Sequence, residues 1–304
     1  VDNSTGRMGV GIISAGKVGS ALGSALRAAG HTIVGAYASS EESRERLELM
    51  LPGVPALEMP RIVECSELVI LALPDSELAP LVDGLRKLGA WQPGQIVLHT
   101  SPRFGTEVLE GAQASGALTL ALHPVMEFTG TSMDVARLSG ARFVVSAANV
   151  LQPIGLALAA EMGGEGVVVN SADRQIYAAA LDHAADGIKL ALTQASRVLG
   201  EIGVEDPSAL LRMWAGTAFE QGLAVREGRT LSRDIAAANA VSQRLNVLDT
   251  LAAESPELSD VALSHRHVLA ALVDRALAQG MLSEEAANEL HTIVGNLRGP
   301  SGGR

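Results

Sequence analysis

Seven short apolar runs punctuate the first 170 residues, and helix-like segments separate them. The runs are Gly9 to Ser14, Thr32 to Ala38, Leu68 to Leu73, Ile96 to His99, Leu118 to Leu122, Phe143 to Ser146 and Gly166 to Val169. This alternation limits the chain more than any other feature, because strand–helix–strand units in succession build a parallel sheet with helices on its faces. Several runs are apolar throughout rather than alternating, as expected for strands covered on both sides.

After Asn170 the strand signals stop and helix punctuation becomes regular. Asp173 can cap a helix running to about Leu199. Asp206-Pro207 is an N-cap followed by Pro at the first helical position, with Gly228 as the stop, and Ser255-Pro256 repeats the device with Gly280. Two further helices are expected over Ser232 to Glu254 and Ser283 to Leu297. The expected division is an α/β domain over 8–170, a helical domain over 171–298 and a disordered Gly/Ser tail over 299–304. The polar stretch Val1 to Arg7 is left out of the fold.

Directly after the first run comes Ser14-Ala15-Gly16-Lys17-Val18-Gly19, and a helix follows it up to Gly30. This is a dinucleotide-binding fingerprint whose first glycine is replaced by Ser14. Gly16 would let the backbone approach a pyrophosphate at the helix N-terminus, with Lys17 and Val18 beside it, and Gly19 would allow close helix–strand packing. The expected fold class is therefore α/β, an N-terminal Rossmann-type parallel sheet followed by an all-helical C-terminal domain.

Composition narrows the partners. The 304 residues carry a net charge of −11 and only 3% aromatics, which argues against a nucleic-acid partner, since phosphate backbones need concentrated Lys/Arg and bases need stacking platforms. One cysteine, Cys65, makes no intrachain disulfide, and a cytoplasmic, reducing location is expected. No apolar run approaches the ~20 residues that span a bilayer, so no membrane partner is expected.

The second strand runs into Ala38-Ser39-Ser40, then Arg44 and Arg46, where a carboxylate for a ribose 2′-OH would otherwise stand. Hydroxyls and a guanidinium suit a 2′-phosphate, so Ser39, Ser40 and Arg44 predict NADP(H) rather than NAD(H). The competing reading is that the arginines pair with Glu41, Glu42, Glu45 and Glu48 along an exposed helix. Leu73-Pro74 reads as the loop beneath the adenosine ribose. His99-Thr100-Ser101 and His123-Pro124 end successive strands, where ligands of open α/β sheets bind. Thr100 is thus assigned to the cofactor, and Ser101, His123 and Glu127 to the substrate. No metal site is expected.

Together, Ser14 to Gly19, His99 to Ser101, Leu122 to Gly130, Glu161 to Gly164 and the helix from Tyr177 to Asp186 resemble a family of two-domain Rossmann-like oxidoreductases. The C-terminal domain of that family is of unknown function. Its relatives are ketopantoate reductase, pyrroline-5-carboxylate reductase, 6-phosphogluconate dehydrogenase and the deazaflavin-dependent NADP reductases. The resemblance spans roughly residues 8–280. It implies an NADP-linked reductase of a small carbonyl or imine, a homodimer joined through the helical domain, and an active site in the interdomain cleft.

The chain departs from that family at Pro102, at Glu127, at His183-Ala184-Ala185-Asp186 and at Leu231 to Asn239. The cofactor half is kept and the substrate half rewritten. On the long helix Asp182, Asp186, Lys189 and Thr193 share one stripe with His183 on its shoulder, opposite Leu181, Ala184, Ile188, Leu192 and Ala195. One reading is a solvated face with an Asp186–Lys189 ion pair. The other makes Asp186, Lys189 or His183 the proton donor of a reduction, Asp186 favouring C=N chemistry. A non-catalytic NADP-binding sensor or scaffold, and hydride transfer between NADP and a deazaflavin, are the alternative functions.

Overall fold

The computed structural model describes residues 7–223 and 237–295. The expected stop at Gly228, the start of the Ser232 helix, most of the Leu231 to Asn239 segment, residues 1–6 and the 299–304 tail lie outside the described residues. Two compact units divide the chain between Asp182 and His183.

The first unit is built on seven strands: β1 (Gly9–Ile13), β2 (Thr32–Tyr37), β3 (Leu68–Leu71), β4 (Ile96–His99), β5 (Leu118–Pro124), β6 (Arg142–Ala147) and β7 (Glu165–Val168). Their order in the sheet is β2-β1-β3-β4-β5-β6-β7. The helices between them are α1 (Lys17–Ala28), α2 (Glu41–Met50), α3 (Met59–Cys65), α4 (Asp75–Lys87), α5 (Glu110–Gln113), α6 (Met133–Leu138) and α7 (Gln152–Glu161).

β3 shows why the strands read as unbroken apolar runs. Leu68 and Ile70 join one buried cluster with Leu22 and Leu26 of α1, while Val69 and Leu71 join another with Leu78, Val82 and Leu85 of α4. Side chains alternate across a strand, so a sheet with helices on both faces needs apolar residues at every position.

The strand–helix alternation predicts a parallel sheet, and the structure departs from it at one pair of strands. β6 runs antiparallel to β5, with Ala121 opposite Ser146, and β7 is parallel to β6. The β5–β6 connection contains only the six-residue α6 and makes no full helical crossover, so the chain returns beside the strand it left. α7 supplies the crossover that sets β7 parallel again.

The second unit holds most of α8 (Arg174–Glu201), then α9 (Pro207–Leu223), α10 (Ala238–Glu254), α11 (Ser259–Ala278) and α12 (Glu284–Val294). Val241 and Leu245 of α10, Leu269 and Val273 of α11, and Leu290 and Val294 of α12 form its core. Pro256 opens a short 3-10 turn ahead of α11 rather than the α-helix expected there.

The β5–α6 loop is held by Asp134, which is fully buried and accepts hydrogen bonds from Thr129 N at 3.1 Å, Thr129 Oγ1 at 3.0 Å and Gly130 N at 2.7 Å. Gly130 has φ +85° and lies against the start of α1: a Cβ there would sit 2.9 Å from Lys17 Cγ. Burial would raise the Asp134 carboxyl, but the bonds from Thr129 and Gly130 outweigh it and hold the group below its ordinary range. A depressed carboxyl stabilises the fold above its unfolded pKa, and that contribution disappears as pH falls through the folded value. Asp134→Asn should cost about 1–3 kcal/mol near neutral pH. It should also flatten the acid limb of stability measured by denaturant titration below about pH 4.

Candidate functional site

β1 lies between β2 and β3, so the chain leaves it first to one side and then to the other. Ligands of open α/β sheets bind at such a switch point, beyond the strands' carboxyl ends. The turn there is tightly fixed. Ser14 takes φ +79°, the only positive φ among described non-glycine residues. Ala15 N donates to Tyr37 O at 2.7 Å, and Ser20 Oγ donates to Ala15 O at 3.0 Å. A Cβ on Gly19 would lie 2.2 Å from Ser14 O, so packing of α1 against the turn itself demands glycine.

Gly16 is different. It is the N-cap of α1, no side chain caps the helix, and a Cβ there would meet only Ser14 Oγ at an ordinary 3.4 Å. Among the described residues nothing needs this position bare. An uncapped helix N-terminus with open space before it suits an anion, which the free amides and the helix dipole both attract. Lys17 is exposed at the first helical position, and Val18 packs partly into the core.

At the end of β2, Ser39 and Ser40 are exposed. Ser40 is the N-cap of α2 and its hydroxyl accepts from Ser43 N, so part of its capacity is committed to the helix. Both arginines also pair as the competing reading expected, but unequally. Arg46 bonds Glu42 at 2.6 Å and its side chain is 12% exposed, whereas Arg44 is 59% exposed and reaches Glu41 only at 4.0 Å. Arg44 is the cation that a ligand can recruit. Leu73 is half-buried and Pro74 caps α4 at the end of β3.

The ends of β4 and β5 carry the rest. His99 is fully buried, with Nε2 2.8 Å from Gly105 O and Nδ1 accepting from Ser101 N at 3.2 Å. Burial pushes it down to about 4, so it is neutral and donates through Nε2. Thr100 and Ser101 are buried, and Ser101 Oγ accepts from Arg103 N. His99 and Ser101 therefore hold the 100–105 loop.

His123 is half-buried, and its Nδ1 lies 2.8 Å from Tyr177 Oη with the rings edge to face. Burial chiefly, then the nearby Arg174 charge, pushes His123 down to about 4. Arg174, at the start of α8, is fully buried. Its Nε donates to Phe104 O at 3.0 Å and its Nη2 to Ser101 O at 3.2 Å, while Nη1 has no partner among the described residues. Burial lowers the guanidinium to about 10, which leaves it a cation. It stands 5.8 Å from the Tyr177 ring centre.

Tyr177 enters the sequence reading only as the start of the Tyr177 to Asp186 helix, and Arg174 not at all. A cation at a helix start opposes the dipole, and that misplacement was the available signal. Glu127 is exposed, and it is its carbonyl that Arg137 holds. His183, Asp186 and Lys189 are exposed along the part of α8 in the second unit. The Asp186–Lys189 pair is not among the ion pairs of the described residues, and Asp182 instead bonds Arg103 at 3.0 Å. The opposite apolar stripe is open too, with Ile188 46% and Leu192 36% exposed. Among the described residues no three His, Cys, Asp or Glu side chains converge as metal ligands, and no helix is long and apolar enough to cross a membrane.

The Rossmann-like domain family matches residues 2–124, and a domain of unknown function, DUF2520, matches residues 141–232. No curated protein matches the sequence. Among solved structures, a Bacteroides fragilis protein described as an NADP oxidoreductase is 18% identical with a TM-score of 0.62, over 85% of this chain and 97% of that one. A reductive aminase from Aspergillus terreus, in complex with NADPH and ethyl levulinate, is 17% identical with a TM-score of 0.63, over 94% and 99% of the two chains. An imine reductase variant from Myxococcus stipitatus, in complex with NAD+, is 19% identical with a TM-score of 0.64, over 93% and 99%. At such identities the likeness is one of fold.

The two glycines of the turn should separate in a stability measurement. Gly19→Ala must move backbone and should cost about 1–3 kcal/mol in chemical denaturation. Gly16→Ala should change stability by less than about 1 kcal/mol. Equal losses would contradict the distinction drawn between them.

Proposed function

The chain is a divergent member of the Rossmann-like proteins that carry a DUF2520 domain, and on that premise we propose that it is an NADPH-dependent oxidoreductase reducing a C=O or C=N group of a small molecule. The observation that carries this reading is the uncapped N-terminus of α1 behind Gly16, whose missing side chain no protein atom requires. The amides of Gly16 to Gly19 and the Lys17 ammonium would hold the pyrophosphate. Ser14 sets the turn, and Leu73 and Pro74 would border the adenosine. Thr100 would border the nicotinamide half.

Preference for NADPH over NADH rests on the end of β2. There no carboxylate stands in place of Ser39, and Arg44 is exposed with only a distant acid. When bound, the cofactor supplies the hydride, so the protein needs no nucleophile of its own. Its residues position the substrate and provide a proton.

A homodimer through the helical unit is part of the same proposal. Among the described residues α9 buries none of its seventeen, and Met213 and Trp214 are 83% and 78% exposed. Trp214 lines an apolar hollow of about 640 Å³ with Leu190, Ala191 and Val198 of α8, and Ile188 and Leu192 line another of about 410 Å³ with Leu211 and Phe219 of α9. A contiguous apolar surface of this kind is expected to be covered by a partner, and a second copy of the chain is the partner we assign. The exposed, unpaired Cys65 fits a cytoplasmic location.

Calorimetric titration tests the cofactor directly. NADPH should bind at least about tenfold more tightly than NADH, and Arg44→Ala should remove most of that difference, in line with the ~1.5–3 kcal/mol of a charged hydrogen bond. Equal affinities, or a preference for NADH, would contradict the assignment. NADPH oxidation in the presence of 2-oxo acids, aldehydes and cyclic imines separates an enzyme from a cofactor-binding sensor.

A further inference from the structure

We propose that Tyr177 and His123 deliver the proton of this reduction, Tyr177 Oη giving it to the substrate heteroatom and His123 resupplying the phenol from water. This rests on the NADPH-dependent reading above and names a donor different from Asp186, Lys189 and His183. Those three are exposed, with no side-chain hydrogen-bond or ion-pair partner among the described residues. Tyr177 instead has a fixed partner 2.8 Å away, at the carboxyl end of β5.

Position supports the assignment. β5 lies three strand spacings from β1, about 14 Å, which an extended dinucleotide starting at the α1 N-terminus spans. Both residues are only partly buried. In the tautomer protonated on Nδ1, His123 donates to Tyr177 Oη and leaves the phenol's own hydrogen free to point outward.

The charged and titratable groups acting on the pair are Arg174 on α8, His99 on β4 and, through Arg174, Glu107. Burial raises the phenol, against the pull of Arg174, so Tyr177 carries its proton at neutral pH. Burial chiefly, with the Arg174 charge added, disfavours an imidazolium and keeps His123 in the neutral form the relay needs. Arg174 is thus a positioning residue.

The step balances. The substrate carbon gains a hydride, for which NADPH is the reductant and becomes NADP+. The π electrons of the C=O or C=N bond pass to the heteroatom, which takes the proton of Tyr177 as the phenol O–H bond breaks. The phenolate takes the Nδ1 proton of His123 while Nε2 takes one from water.

The chain's only two tyrosines, Tyr37 and Tyr177, make the test direct. The full-length protein labelled with [13Cζ]tyrosine is saturated with NADP+ or NADPH, binding is confirmed by calorimetry on the same sample, and the Tyr177 resonance is identified by its loss in Tyr177→Phe. The two complexes differ only at the nicotinamide, so Tyr177 should shift between them while Tyr37, at the end of β2, should not. His123→Gln should move the Tyr177 resonance and shrink that shift.

Absence of binding by either cofactor would overturn the functional reading itself. Binding with a Tyr177 resonance indifferent to oxidation state would overturn only the donor assignment. For any 2-oxo acid or cyclic imine probe that turns over, Tyr177→Phe should lower kcat about 100-fold with little change in KM. An unchanged kcat would refute the assignment.

Discussion

Close approach of α1 to the turn that precedes it is the contact on which the first unit depends. Gly19 sits so near the Ser14 carbonyl that no side chain fits between them, and Ser14 itself is held at a positive φ to make the bend. That strained residue persists because Ala15 is fastened to the end of β2 and Ser20 folds back onto Ala15. The same geometry points the first amides of α1 outward at the switch between β2 and β3, and leaves Gly16 bare for no internal reason. Packing and the proposed pyrophosphate site thus come from one bend, divided between two glycines three residues apart.

A second constraint organises the far end of the sheet. Arg174 enters a fully buried position and spends its hydrogen bonds on the carbonyls of Ser101 and Phe104 rather than on a carboxylate. A buried guanidinium bonded only to carbonyls keeps its field, and here that field falls on His99 and His123. Burial chiefly, with that field added, keeps both imidazoles neutral, one locking the 100–105 loop and the other facing Tyr177. The start of α8 therefore belongs with the sheet, and the first compact unit extends through Asp182.

The strands were legible because burial on both faces leaves its mark on every residue, as at Leu68 to Leu71, and the α1 turn because its glycines answer a local steric demand. The direction of β6 was not, since it depends on how residues 125–141 return and not on the strand's own composition. His123 and Tyr177 are 54 residues apart, so no spacing announces them. Ser101 and His99 end a strand where ligands of open α/β sheets bind, and in the structure both are also engaged by the loop they close, His99 through both ring nitrogens and Ser101 by accepting from Arg103 N. On α8 the polar and apolar stripes follow from periodicity, but periodicity does not say what each one faces.

The central claim is that the N-terminus of α1 is a dinucleotide pyrophosphate site. Amide 1H–15N spectra recorded as NADP+ is added test it most directly. The account predicts that the largest changes fall on the amides of Gly16, Lys17, Val18 and Gly19 and saturate with the cofactor. Perturbations confined to other parts of the chain, or none at saturating cofactor, would contradict it.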